Sequence, residues 1–266
     1  MKKALLLPAL AAVAAFLIAA LPAAAVTHGS LDGNAHPYVG LMVAKDASGT
    51  PLWRCSGTLI SPTVFVTAGH CTEAPAATAE IWWDSDVQSN AAALGYPFTG
   101  ESSGVVHQNP LYDGNDFSLW DVGVVTLNAP VTNLGYGQLP AENSLAGLKV
   151  NSKTTFTAVG YGLQRAFPDQ GHSSVKDEEL KIRMVAYPHL ISVGWPQAPN
   201  SLILSDNAKT GGTCFGDSGG PNFLGDSNVV AGVTSFGKSW VCGGQGGVMR
   251  LDLPQMRNWV LSFVGP

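Results

Sequence analysis

Gly212-Thr213-Cys214-Phe215-Gly216-Asp217-Ser218-Gly219-Gly220-Pro221 sets one serine among four glycines, with an aspartate directly before it and a cysteine upstream. Missing Cβ atoms mean that the backbone turns where a side chain would forbid it, or that something approaches the chain closely. A tight turn at Gly216-Asp217 exposes the Ser218 hydroxyl. It also aims the N–H groups of Gly216 and Ser218 into one small space. Two converging donors of this kind form an oxyanion hole, each worth about 3 kcal/mol of transition-state stabilisation. A serine hydroxyl so placed still needs a base, because the free group is a poor nucleophile.

Of the six histidines, His70 alone has a comparable setting. It lies in Val66-Thr67-Ala68-Gly69-His70-Cys71, at the exit of an apolar strand, where the adjacent cysteine can tether the turn. His28, His36, His107, His172 and His189 occupy polar or turn-like contexts and read as solvated or structural. The third partner should be a carboxylate that orients the imidazole. Asp121 opens the run Asp121-Val122-Gly123-Val124-Val125-Thr126-Leu127, so its charge leads into an apolar strand and needs a partner. Asp113 and Asp116, in a Gly/Asn-rich stretch just before it, read as turn aspartates.

Composition limits the scaffold. The 266 residues are 45% hydrophobic and only 12% charged, about half the roughly 25% usual in soluble domains, so a full core can be buried. Scattered Gly and Pro favour short strands joined by tight turns, hence an all-β chain. Strand candidates are Tyr38–Ala44, Trp53–Ile60, Val64–Ala68, Ile81–Trp83, Val122–Leu127, Thr155–Tyr161, Lys181–Ala186, Val229–Phe236 and Gly247–Leu251. Leu253, Met256, Trp259, Val260, Phe263 and Val264 instead recur at helical spacing and predict a terminal amphipathic helix. The polar span from Asn128 to Gly147 is the connection expected between two halves.

Met1-Lys2-Lys3, an apolar run and Ala23-Ala24-Ala25 make residues 1–25 a secretory signal peptide. The run is long enough to span a bilayer, but Pro22 and the lack of a basic stop-transfer flank argue against an anchor. Removing Lys2 and Lys3 from 14 basic residues leaves 12 against 19 acidic ones, a balance of −7 that disfavours nucleic acid and anionic membranes as partners. Export permits disulfides. Four cysteines allow three pairings, of which the local one, Cys55 with Cys71 and Cys214 with Cys242, is favoured. No Cys-x-x-Cys or His-x-x-x-His spacing suggests a metal, and Asp84, Asp86 and Asn90 are poorly spaced as calcium ligands.

Taken together, Thr67-Ala68-Gly69-His70-Cys71, Asp121-Val122-Gly123-Val124 and Gly216-Asp217-Ser218-Gly219-Gly220-Pro221 resemble the three motifs of secreted trypsin/chymotrypsin-like serine proteases, in that family's chain order. The G-x-S-x-G pattern of α/β-hydrolases is also satisfied, but those enzymes place the histidine after the serine, and no histidine follows Ser218. The resemblance extends over residues 26–266. It implies two six-stranded antiparallel β-barrels, one over about 26–140 and one over about 141–266, with the active site between them. It also supports the local disulfides, and the lean set of two fits bacterial members.

By the same resemblance Ser218 attacks a carbonyl, His70 moves the proton, Asp121 fixes the tautomer and the Gly216 and Ser218 amides hold the oxyanion. Hydrolysis through an acyl-enzyme follows, with protein or peptide substrates, no cofactor and no metal, in a secreted monomer without lasting membrane association. A silent binding protein of the same fold, or an esterase, is the alternative. The substrate pocket maps to Gly212, Ser235, Phe236, Gly237 and Gly247. Trypsin-like members carry an aspartate where this chain has Gly212, so an apolar cleaved residue is expected. Val26-Thr27-His28-Gly29 loosely resembles the family's mature start. Cleavage after Ala25 would then create an α-amine on Val26 to pair with Asp217, making export the activation step.

Overall fold

The computed structural model describes residues 26–168, 174–178 and 180–265; the expected signal segment and His172 lie outside them. The strands in chain order are β1 Ser30–Leu31, β2 Val39–Lys45, β3 Pro51–Ser61, β4 Val64–Thr67, β5 Thr78–Trp82, β6 Ser102–Gln108, β7 Gly123–Leu127 and β8 Phe156–Gly160. They continue with β9 Arg165–Pro168, β10 Ser174–Glu178, β11 Met184–Ala186, β12 Leu190–Trp195, β13 Ala198–Asp206, β14 Pro221–Leu224, β15 Val230–Gly237 and β16 Gly244–Arg250. Two helices, α1 Val87–Asn90 and α2 Pro254–Leu261, complete the order.

Strands β2-β3-β4-β7-β6-β5 close into an antiparallel barrel. Its β2 shows why the sequence allows this. Successive side chains on a strand face opposite ways, and here Met42 and Ala44 fill the barrel with Leu59, Phe65 and Ile81, while Leu41 and Val43 pack outward on Trp82 and Tyr161. Both faces are covered, so the run is apolar throughout.

The second unit is an eight-stranded sheet in the order β1-β11-β8-β14-β15-β16-β13-β12. Where the resemblance implies a second fully laddered barrel, this sheet meets itself at one bridge, Thr155 to His189. Phe156 N donates to Pro188 O and Leu190 N to Thr154 O there, each at 2.8 Å. Pro188 has no N–H to extend a ladder. The chain bends at it between β11, which pairs with β8, and β12, which pairs with β13. The result is a half-barrel with Phe156, Leu190, Leu202, Leu204 and Val248 in its core.

The two units share a seam. Val64, Val66 and Val124 of the barrel pack with Val233 and Met249 of the sheet and with Leu251 just after it, and Met256 and Val260 of α2 lie fully buried in the same cluster. The helix begins at Pro254, whose missing N–H costs nothing in a first turn. A second tie is Arg183, directly before β11 and fully buried. Its Nε donates to Asp32 Oδ2 at 2.9 Å, and its Nη1 reaches Trp83 O at 2.9 Å in the barrel.

Candidate active site

His70 sits in a 3-10 turn, Gly69–Cys71, directly after β4. Thr72 N donates back to Gly69 O at 2.9 Å, and the Cys55–Cys71 disulfide pins the turn to β3 with a Cα separation of 6.2 Å. Asp121 precedes β7, which pairs with β4, so register alone brings it beside His70. It is fully buried. His70 N donates to its Oδ1 at 2.8 Å, and His70 Nδ1 lies 2.9 Å from its Oδ2. Ser235 Oγ, from β15 of the other unit, donates to the same Oδ2 at 2.5 Å. The imidazole edge meets Phe117 with ring centroids 4.9 Å apart.

Ser218 lies between β13 and β14, and it lines the same cavity as His70. The turn around it depends on two glycines in left-handed geometry, Gly216 at φ +95° and Gly219 at φ +78°. A Cβ on Gly219 would collide with Thr67 Oγ1. Asp217 N, Gly219 N and Gly220 N all donate to backbone carbonyls, whereas among the described residues Gly216 N and Ser218 N donate to none. The two N–H groups expected to hold an oxyanion are thus unspent. No hydrogen bond joins Ser218 Oγ to His70 among the described residues; such contacts are often long before substrate arrives.

The other expected residues fall into distinct places. Asp113 and Asp116 are exposed and accept from Asn115 N and Ser118 N, as turn aspartates do. Asp84 accepts from Asp86 N and Asp86 from Ser89 N, so their oxygens serve the turn that starts α1. Cys55, His70 and Cys71 cluster, but the cysteines are spent as a disulfide and offer no thiolate. Cys214 and Cys242 form the second bridge, Cα to Cα 5.2 Å, along the cavity wall. His36 proves structural: its Nδ1 lies 2.5 Å from buried Asp32 and its ring stacks on Phe223.

The cavity, about 430 Å³, is lined by His70, Ser218, Ser235, Phe236 and Gly237, but not by Gly212 or Gly247. A Cβ on Gly247 would overlap the Phe236 ring, which covers it. A Cβ on Gly212 would overlap the carboxylate of Asp206. Asp206 closes β13, is 3% exposed, and lines the cavity in place of Gly212. It was not anticipated, although it ends an apolar run, Leu202-Ile203-Leu204-Ser205-Asp206, much as Asp121 opens one. Burial, with repulsion from Asp217, pushes its carboxyl up to about 7.

Asp217 is fully buried and likewise pushed up to about 7 by burial, against hydrogen bonds from Cys214 N and Gly162 N at 2.8 Å each and the charge of Arg54. Val26 is fully buried against Met184 and Ala186. Beside it, Thr27 pairs with Gly212 and its hydroxyl donates to Asp206 Oδ1 at 3.0 Å.

A closed barrel and a half-barrel that bring His70 and Ser218 to one cavity, with buried Asp121 bonded to the histidine, define a chymotrypsin-like architecture. The solved structure of HL collagenase superposes with a TM-score of 0.68 over 90% of this chain and 99% of that one, at 21% identity. Residues 30–260 match the family model described as Trypsin, and the chain belongs to that family of serine protease hydrolases. Brachyurin of Leptuca pugilator is 28% identical over 218 residues, covering 79% of this chain and 84% of the relative. The trypsin of Saccharopolyspora erythraea is 27% identical over 225 residues, covering 83% and 90%. Most similar relatives are arthropod, so the bacterial kinship expected from the two-bridge pattern is not supported. Membership points to proteolysis, with proteins as substrates. Proteases of this kind are typically secreted, in keeping with the two disulfides.

Proposed function

We propose that the chain is an exported serine endopeptidase working through an acyl-enzyme. The observation that carries this reading is the pairing of His70 with fully buried Asp121 at the wall of a cavity that Ser218 shares. His70 Nδ1 is committed to Asp121, which leaves Nε2 to take the Ser218 proton as the hydroxyl attacks the substrate carbonyl. Gly216 N–H and Ser218 N–H receive the oxyanion; collapse expels the amine, protonated by His70, and water then releases the acyl group by the reverse steps. An ester would follow the same course. A binding-only role is not favoured, since every member of the constellation is present.

Activation belongs to the same proposal. Signal cleavage after Ala25 places an α-amine on Val26, and Asp217, buried with only two hydrogen-bond donors and the Arg54 charge acting on it, is the carboxylate it would serve. The mature enzyme is proposed to be a monomer without lasting membrane association.

Intact-mass analysis of secreted protein treated with a fluorophosphonate tests both parts. One adduct on Ser218, absent from Ser218→Ala and His70→Ala, on a chain starting at Val26, is the expected result. Folded protein that starts at Val26 and takes no label refutes the catalytic reading. A labelled chain starting elsewhere refutes the activation step.

A further inference from the structure

We infer that Asp206 is the specificity-determining carboxylate of the substrate cavity, and that the cavity receives a basic side chain, a guanidinium or an ammonium, from the residue that is cleaved. This rests on the proteolytic reading proposed above and replaces the apolar preference expected from a bare glycine at 212.

The argument begins with Gly212. Its missing Cβ leaves no empty floor, because Asp206 Oδ1, Cγ and Cβ fill that space. β13 therefore delivers, from the side, the carboxylate that trypsin-like relatives carry on the segment before the nucleophile. An aspartate at 212 as well would collide with it, so glycine there and aspartate at 206 form one solution rather than two independent choices. Asp206 lines the cavity that also holds His70 and Ser218, and Thr213 and the Cys214–Cys242 bridge line it too.

The carboxylate is also short of partners. Its Oδ1 accepts from Thr27 Oγ1 at 3.0 Å, and it forms no ion pair among the described residues. Its charged neighbour Asp217 repels it, and burial already favours its protonated form. The other lining charge, Lys238, has its ammonium 3.2 Å from the centroid of the Trp195 ring, a cation–π seat outside the floor. A buried carboxylate that lines a cavity and forms no ion pair among the described residues is completed by a ligand that brings a cation, and a planar guanidinium can add two hydrogen bonds.

Two readouts test the assignment. In the first, peptides differing only in Arg, Lys, Phe or Leu at the cleaved residue are compared on wild type and Asp206→Asn. Arg and Lys are expected to lead Phe and Leu by on the order of 100-fold in kcat/KM, as truncated buried charge pairs imply. Asp206→Asn should erase that lead, lowering Arg and Lys turnover far more than that of Phe and Leu. The double change Asp206→Gly with Gly212→Asp, which returns a carboxylate to the same space from the segment before Ser218, should restore it. In the second, calorimetry follows benzamidine, a planar cation, on Ser218→Ala with and without Asp206→Asn. Binding that the second change abolishes supports the assignment even if no peptide is cleaved, since it needs no catalysis. A wild-type lead for Phe or Leu, an equal loss for all four peptides, or benzamidine binding indifferent to Asp206→Asn overturns it.

Discussion

Asp121, on the barrel side of the cavity, is fully buried and accepts three hydrogen bonds, two from His70 and one from Ser235. Asp206, on the half-barrel side, is nearly as buried and accepts one, from Thr27, while Asp217 behind it accepts two from backbone. The difference follows from how each unit is built. In the barrel, β4 pairs with β7 and places the histidine turn and the aspartate side by side, so two of its three donors come from one local frame and Ser235 of the other unit supplies the third. In the half-barrel the carboxylates come from strand ends and turns, where ladders no longer supply donors. A saturated carboxylate holds a neighbour in place. An unsaturated one is pushed up to about 7 by burial and is left to be completed by an incoming cation.

The largest expected effect attacks the saturated side. Asp121→Asn keeps size and polarity but offers His70 Nδ1 the wrong partner for the needed tautomer. A loss of about 10⁴-fold in kcat is expected, with the fold intact by circular dichroism. A loss below about tenfold would mean that Ser235 and Phe117 suffice to hold the imidazole.

A smaller effect compares the bridges, one for each unit. Chain entropy assigns about 3 kcal/mol to Cys55–Cys71 and about half a kcal/mol more to Cys214–Cys242, which closes the longer loop, with sequence separations of 16 and 28. Paired Cys→Ser variants measured by urea unfolding should rank accordingly. Fluorophosphonate labelling should suffer more where the Cys55–Cys71 bridge, which pins the histidine turn, is removed. The reverse order in labelling would show that the cavity wall, rather than that turn, limits assembly.

The smallest effect is on pH. In the chain still joined to the residues before Val26, Asp206 and Asp217 hold protons up to about 7, whereas unfolded aspartates release them near 3.8. The folded state thus binds more protons in this interval, so their contribution is present below about 4 and lost as pH rises through about 7. His107, pushed down from 6.5 by burial, acts in the opposite sense, losing its contribution as pH falls below that value. The urea midpoint is expected to fall between pH 5 and pH 8, and Asp206→Asn should flatten the fall. An unchanged slope in that variant would mean that Asp206 is already ionised in the folded chain.

The same contrast explains what the sequence made legible. The histidine turn, the aspartate opening β7 and the glycine-framed serine are local devices, each read within a few residues. Strands such as Val64–Thr67 and Gly123–Leu127 announce themselves by β-branched runs. Ser102–Gln108, with two serines and a glycine at its start, and Pro221–Leu224, opened by proline, do not. They are strands because neighbours pair with them. Ala198–Asp206 holds the apolar Leu202-Ile203-Leu204 but opens with Ala198-Pro199-Asn200-Ser201, and nothing near Asp206 in the chain signals that Gly212 leaves room for its carboxylate. Ser235 is different: it was expected at the pocket, but its bond to Asp121 exists only once two units meet.

That meeting has a consequence in time. The seam between barrel and half-barrel is completed by Met256 and Val260 of α2, which follows every strand of both units. During synthesis His70, Asp121 and Ser218 all emerge before the piece that welds their supports together, so the seam is the last part to close.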